Sequence, residues 1–247
     1  MTYTRLTKTF IGFMVLAAAG MMGDAMIQAH GQGWHPLLAI TLLLAAVGTS
    51  RMKVTIPGVN GSMSVNLPFL MLSVITLSAT ESILIACACA VMQTLPQDGG
   101  KLKPARVLFN VSMMAFSSGA AGLLFHQHML NGLKWASAPL LVAVATATFF
   151  LGQTLPVSVI VALTDGGAVR RIWSNIAQMS FPYYVVSAGL TSMLNSASQH
   201  IGWLAAVLVL PVMYTIYRSY RLYFVPAMQA ATRPMAMTMS TAAGMSK

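Results

Sequence analysis

The stretch KVTIPGVNGSMSVNLPF, residues 53–69, decides how the rest of the chain is read. Apolar and polar residues alternate on both sides of a Pro-Gly-Val-Asn-Gly turn, the pattern of a small two-stranded hairpin. In a soluble domain that motif would be ordinary. Here it lies between runs too apolar for water, residues 37–49 before it and 67–77 after it. The chain has 247 residues, of which 57% are hydrophobic and 7% charged, with a mean hydropathy of +0.73. A soluble domain carries roughly 25% charged residues. The hairpin is therefore an extended insert in a multi-pass helical membrane protein.

Working outward from it, uncharged apolar runs cover 10–27, 37–49, 67–77, 82–95, 107–125, 136–163, 176–194 and 201–217. A helix perpendicular to the membrane needs about 20 residues to cross the hydrocarbon. The expected fold is an all-α integral membrane protein with six full transmembrane helices, near 10–27, 34–49, 107–125, 136–163, 176–194 and 201–220. Runs 67–77 and 82–95 are short, and read as two thin spans or one re-entrant hairpin. Ser78 followed by Glu81 has the form of a capping box, so a helix is expected to start there. The first run also suits a signal peptide, with Ala17–Ala19 cleavage-like, but its apolar character continues to Ile27. The expected membrane domain is 1–224, followed by a short cytoplasmic, disordered tail at 225–247.

Charge sets an orientation. Arg5, Lys8, Arg51, Lys53, Lys101, Lys103, Arg106, Arg170, Arg171, Arg218, Arg221, Arg233 and Lys247 all fall on one side of this topology. Of the 14 basic residues only Lys134 falls on the other. The positive-inside rule then places both termini in the cytoplasm of a bacterial inner membrane. The same rule accounts for the net charge of +10, so no nucleic-acid partner is needed; the lipid bilayer is partner enough.

Amides in hydrocarbon are costly unless they face protein or water. Asn66, Asn110, Gln153 with Thr154, Asn175 and Gln178 all fall toward the cytoplasmic half of the expected bundle, with Ser64 and the Asn60 turn. They read as the lining of a small-molecule ligand cavity that the hairpin plugs from below. The competing reading makes them interhelical hydrogen bonds of about 1 kcal/mol or less each. Tyr183 is a further candidate for the cavity, while Tyr184, Tyr214, Tyr217 and Tyr220 read as packing and interfacial anchors.

His30, His35, His126, His128 and His200 lie toward the opposite ends of the spans, with Met22, Met26, Met129 and Met193 nearby. No HxxxH or CxxC spacing joins them, so no metal or cofactor is expected. Cys87 and Cys89, two apart in an apolar run, read as small core residues. Glu81 reads as a helix cap and Asp165 as the start of a Gly-Gly turn. Four acids spread along the chain, with no GxSxG, HD pair or glycine-rich phosphate loop, do not make an enzyme.

Six motifs then run in order along most of the chain: KVTIPGVNGSMSVN, LSATESILIACACAVMQ, RVLFNVSMMA, QTLPVSVIVALTDG with RRIW, SFPYYVVSAG, and GWLAAVLVLPVMYTIYRSYRLYF. Together they resemble the multi-pass membrane domain that precedes HD-GYP phosphohydrolase or GGDEF diguanylate cyclase domains in bacterial signalling proteins. The resemblance implies a sensory or receptor-like module whose last helix leads into a cytoplasmic output domain. Here the sequence departs from that pattern. After Phe224 come Pro226, Pro234 and a Met-, Ala- and Thr-rich tail, without HD-GYP or GGDEF motifs. The expected function is a stand-alone module that binds a small ligand or senses the bilayer, and signals to a separate cytoplasmic protein, possible as a homo-oligomer. The alternative is a small-molecule transporter or substrate-binding membrane subunit, hinted at by Leu67-Pro68 and Leu155-Pro156 as a weak internal repeat. A purely structural membrane protein is the third reading.

Overall fold

The computed structural model describes residues 5–28, 36–55, 62–96, 103–126 and 138–201, with scattered positions between 204 and 219. The Asn60 turn, His30, His35, His128, Met129, Lys101, Lys134, Tyr217, Tyr220, most of the run at 201–220 and the 225–247 tail lie outside the described residues, as does the side chain of His200. Within them the chain forms helices α1 (Arg5–Gln28), α2 (Pro36–Ser50), α3 (Leu67–Thr76), α4 (Ala79–Thr94), α5 (Pro104–His126), α6 (Ala138–Asp165) and α7 (Val169–Ile201). Strands β1 (Lys53–Thr55) and β2 (Ser62–Ser64) separate α2 from α3. They pair antiparallel, with Lys53 opposite Ser64 and Thr55 opposite Ser62. The hairpin read from the alternation is present.

Helices α1, α5 and α6 are long and apolar enough to cross a bilayer, while α2, α3 and α4 are shorter apolar helices. Of the six spans expected, the second is described over the 15 residues Pro36–Ser50, about 22 Å of helix against a hydrocarbon core of about 30 Å; Trp34 lies outside the described residues. Helix α7 has 33 residues, but Arg170, Arg171, Asn175 and Gln178 make its first turns polar and exposed. The suggested Leu-Pro repeat is not repeated in form: Pro68 opens α3, whereas α6 continues through Pro156.

Helix α3 is the centre of the molecule. Every residue from Leu67 to Ile75 is buried, and Phe69, Leu70, Met71, Leu72 and Val74 are almost completely enclosed. A helix apolar on all sides must be wrapped on all sides, and α2, α4, α5 and α7 pack around it. Helix α5 packs against α1, α3, α4 and α6, and so joins the two halves of the bundle.

Side-chain rungs fix relative depth. Ser118 meets Ser82 and Asn110 meets Thr94, so α4 and α5 run antiparallel. His126 Nε2 lies 3.0 Å from the Val74 carbonyl, which places the end of α3 near the end of α5. Thr146 on α6 meets the Met71 sulfur at 3.5 Å. Leu67 lies four residues further along, about 6 Å, so α3 starts beside the middle of α6. The end of the extended segment therefore enters the bundle, where Val65, Asn66 and Leu67 are all buried; irregular backbone is tolerated there because protein surrounds it.

The C-terminal ends of α3 and α6 are closed differently. Beyond Thr76, Ser78 Oγ accepts from the Glu81 N–H at 3.3 Å, and Glu81 Oε2 accepts from the Ser78 N–H at 3.0 Å. This is the capping box read from the sequence, and it starts α4. At the far end of α6, Gly166 adopts φ 80° and its N–H returns to the Ala162 carbonyl. That left-handed stop is the turn expected after Asp165.

Candidate functional site

The site is built around the broken backbone before α3. Helix α2 ends with carbonyls that no later turn can satisfy. Ser64 Oγ donates to the Ser50 carbonyl at 2.8 Å and approaches that of Thr49 at 3.4 Å. The Val65 N–H donates to the Met52 carbonyl. The hairpin thus serves as the C-terminal cap of α2 and stays attached to it.

Asn66 then takes the N-cap position of α3, yet its side chain makes no capping hydrogen bond. Asparagine is among the best N-cap residues because its side-chain oxygen accepts a free N–H of the first turn. Here a tyrosine from another helix does that work. Tyr183 Oη accepts the Leu67 N–H at 3.1 Å and donates to the Ser64 carbonyl at 3.0 Å. One phenol closes the break from both sides and ties α7 to it. The Asn66 amide instead lies against the Cys89 thiol of α4. Its Nδ2 has no hydrogen-bond acceptor among the described residues. Cys89 is fully buried and Cys87 partly so, and both are free thiols.

The other residues singled out from the sequence fall in three places. Asn110 Nδ2 donates to Thr94 Oγ1 at 3.1 Å, and that hydroxyl donates to the Ala90 carbonyl, so the amide joins α5 to α4. Gln153 bridges three helices: its Nε2 donates to the Met114 sulfur on α5, and its Oε1 accepts from Tyr184 Oη at 3.4 Å on α7. Thr154 accepts from the Trp173 indole N–H at 3.1 Å. Phe150 sits edge-on to both Tyr184 and Phe181, reinforcing the α6–α7 seam. Asn175 and Gln178 are exposed on α7 and stand apart from this group. The structure therefore brings Asn66 and Tyr183 together with Ser64, sets Gln153 and Thr154 beside the next stretch of α7, and holds Asn110 in a separate pair.

Sequence reading missed two residues on the inner face of α7. Ser187 and Thr191 are fully buried, and neither hydroxyl has a hydrogen-bond partner among the described residues. Ser180, Tyr184, Ser187 and Thr191 form one buried stripe at spacings of four, three and four. That spacing is legible in SFPYYVVSAGLTSM once the helix is known to face inward. Among the described residues, no group of three or more His, Cys, Asp or Glu side chains comes together in a way that could hold a metal. The polar groups at the start of α3 (Ser64, Asn66 and Tyr183) are neutral hydrogen-bonding groups. They suit binding and mechanical coupling.

A protein-family model, MASE9, matches residues 7–223. The chain belongs to the MASE9 family. MASE9 is a membrane-associated sensor domain, and MASE domains are N-terminal sensors of signalling proteins. The resemblance read from the six motifs is confirmed at that level. A MASE domain is itself non-catalytic. No curated protein and no solved structure shows significant similarity to the chain. The MASE9 match runs from within α1 through the hairpin and α3 to beyond α7.

Proposed function

We propose that this MASE9 domain senses a small ligand or a change in its membrane surroundings, and transmits it by moving α7 relative to the hairpin and α3. The observation that carries this reading is the double hydrogen bond of Tyr183 to Leu67 and Ser64. It connects the least regular part of the bundle to the helix that leads toward the C-terminal segment. Pro182 immediately precedes Tyr183. A proline inside a helix removes one backbone hydrogen bond and marks the place where the helix bends most easily. The latch therefore holds α7 next to its own weak point. Breaking it frees both the hairpin and the α7 hinge.

In this reading both termini face the cytoplasm of a bacterial inner membrane, and the signal goes to a cytoplasmic protein of the HD-GYP or GGDEF type. Fusing the full chain to a diguanylate cyclase catalytic domain provides a readout. Tyr183→Phe is expected to shift cyclic-dinucleotide output at least about fivefold, the factor given by about 1 kcal/mol for a hydrogen bond. Tyr214→Phe, on an exposed tyrosine, is expected to leave output unchanged. Equal outputs from wild type and Tyr183→Phe contradict the coupling.

The half-length α3, starting inside the bundle, also favours a second reading as a carrier, since transporters place broken helices at their binding sites. A carrier accumulates substrate in sealed vesicles; a sensor binds without accumulation.

A further inference from the structure

Most buried serines and threonines among the described residues bond a carbonyl three or four residues back or, as Ser118 does with Ser82, another hydroxyl; Ser187 and Thr191, on the same helix, do neither. Thr49, Ser73, Ser117, Thr146, Thr154, Ser158 and Ser180 each return the hydroxyl to a carbonyl three or four residues back. That local bond is the default for a hydroxyl inside an apolar bundle. Ser187 and Thr191 have carbonyls at the same offsets in the same helix and do not use them. Both are completely enclosed, and among the described residues both hydroxyls are without partners. A buried donor left unmatched is costly, and in a native protein it points to something else that satisfies it.

Position narrows what that is. Tyr183 marks where α7 passes the start of α3. Ser187 and Thr191 follow about 6 and 12 Å further along α7, within the roughly 15 Å length of α3. Leu190 and Leu194, on neighbouring positions, pack into the core cluster that contains α3. Two neutral, enclosed, unsatisfied hydroxyls thus border the seam between α3 and α7. Of the described charged side chains, Glu81 is the one next to an end of α3, and it caps α4 through Oε2, with Oε1 unmatched. His126 lies against the Val74 carbonyl at that same end.

We propose that the α3–α7 seam is a binding site for a small uncharged molecule with a carbonyl or hydroxyl group, held by Ser187 and Thr191. The two hydroxyls give or accept a hydrogen bond, so an alcohol, polyol or neutral amide fits both. An anion or cation does not, because among the described residues no opposite charge lines the seam. The inference deepens the sensory reading by naming a ligand class, and it rests on that reading only for the consequence of binding.

The test uses the full chain in lipid nanodiscs. Ser187→Cys and Thr191→Cys are made in a Cys87→Ala/Cys89→Ala background and exposed to uncharged methyl methanethiosulfonate. Labelling within about tenfold of the rate at exposed Asn175→Cys is expected, since thiol reactivity follows access and ionisation. In parallel, 1,2-propanediol, 1,4-butanediol and acetamide are titrated against thermal unfolding. At least one is expected to give a saturable rise in Tm that Thr191→Val and Ser187→Ala abolish. Unreactive cysteines, together with a higher Tm in Ser187→Ala and Thr191→Val, mean a dry seam and overturn the proposal. Labelling without any saturable shift means that water alone fills the seam, which also overturns it. Either failure leaves the Tyr183 coupling to stand or fall on the fusion reporter.

Discussion

Ser117 leaves no room for a side chain opposite it on α6. A Cβ placed on Gly152 would lie 2.7 Å from Ser117 Oγ and 3.3 Å from its Cα. Gly152→Ala is therefore expected to force α5 and α6 apart and lower stability by about 1–3 kcal/mol, the usual cost of overpacking. Gly48→Ala is the contrast, because nothing lies within 4 Å of its would-be Cβ; helix propensity alone then favours the substitution slightly. Thermal unfolding of the two variants in one detergent compares them directly. At Tyr183 the hydroxyl is the only part at issue. Tyr183→Phe keeps the ring but strands the Leu67 N–H, and a loss of about 1–3 kcal/mol is expected. Sequence composition marked Tyr183 as a candidate, and its role was not readable because its two partners lie 116 and 119 residues away.

At the scale of elements, legibility followed locality. The capping box at Ser78 and Glu81 is written within four residues, and the structure forms it with both reciprocal bonds. Ser78→Ala is expected to cost about 0.5–2 kcal/mol and to increase hydrogen exchange in the first turn of α4. The hairpin was equally local: alternation and a turn sequence sufficed. The cap of α3 was not local: Asn66 holds the N-cap position, but the capping hydrogen bond comes from the distant Tyr183 phenol, which nothing in residues 53–69 announces. Depth was illegible too. Nothing in residues 53–69 says that α2 and α3 stop short, so that the Ser64–Leu67 junction reaches the middle of α6. That depth follows from Met71 meeting Thr146, a contact made across 75 residues.

For the whole molecule, the charge pattern carries the most information. If 13 basic residues face one compartment, as the positions of Arg5 through Lys247 imply, a reporter that fluoresces only in the cytoplasm should be bright when fused to either end. A reporter active only outside should be silent at both. The account's central claim is narrower: Tyr183 is the latch that couples α7 to the hairpin and the start of α3. Hydrogen–deuterium exchange on the full chain in nanodiscs, wild type against Tyr183→Phe, tests it most directly. Protection is predicted to fall at least about fivefold at Leu67 and across β2 in the variant, with the α4–α5 pair unchanged, a factor equal to about 1 kcal/mol of lost hydrogen bonding. Identical protection at Leu67 and β2 in the two proteins contradicts the claim.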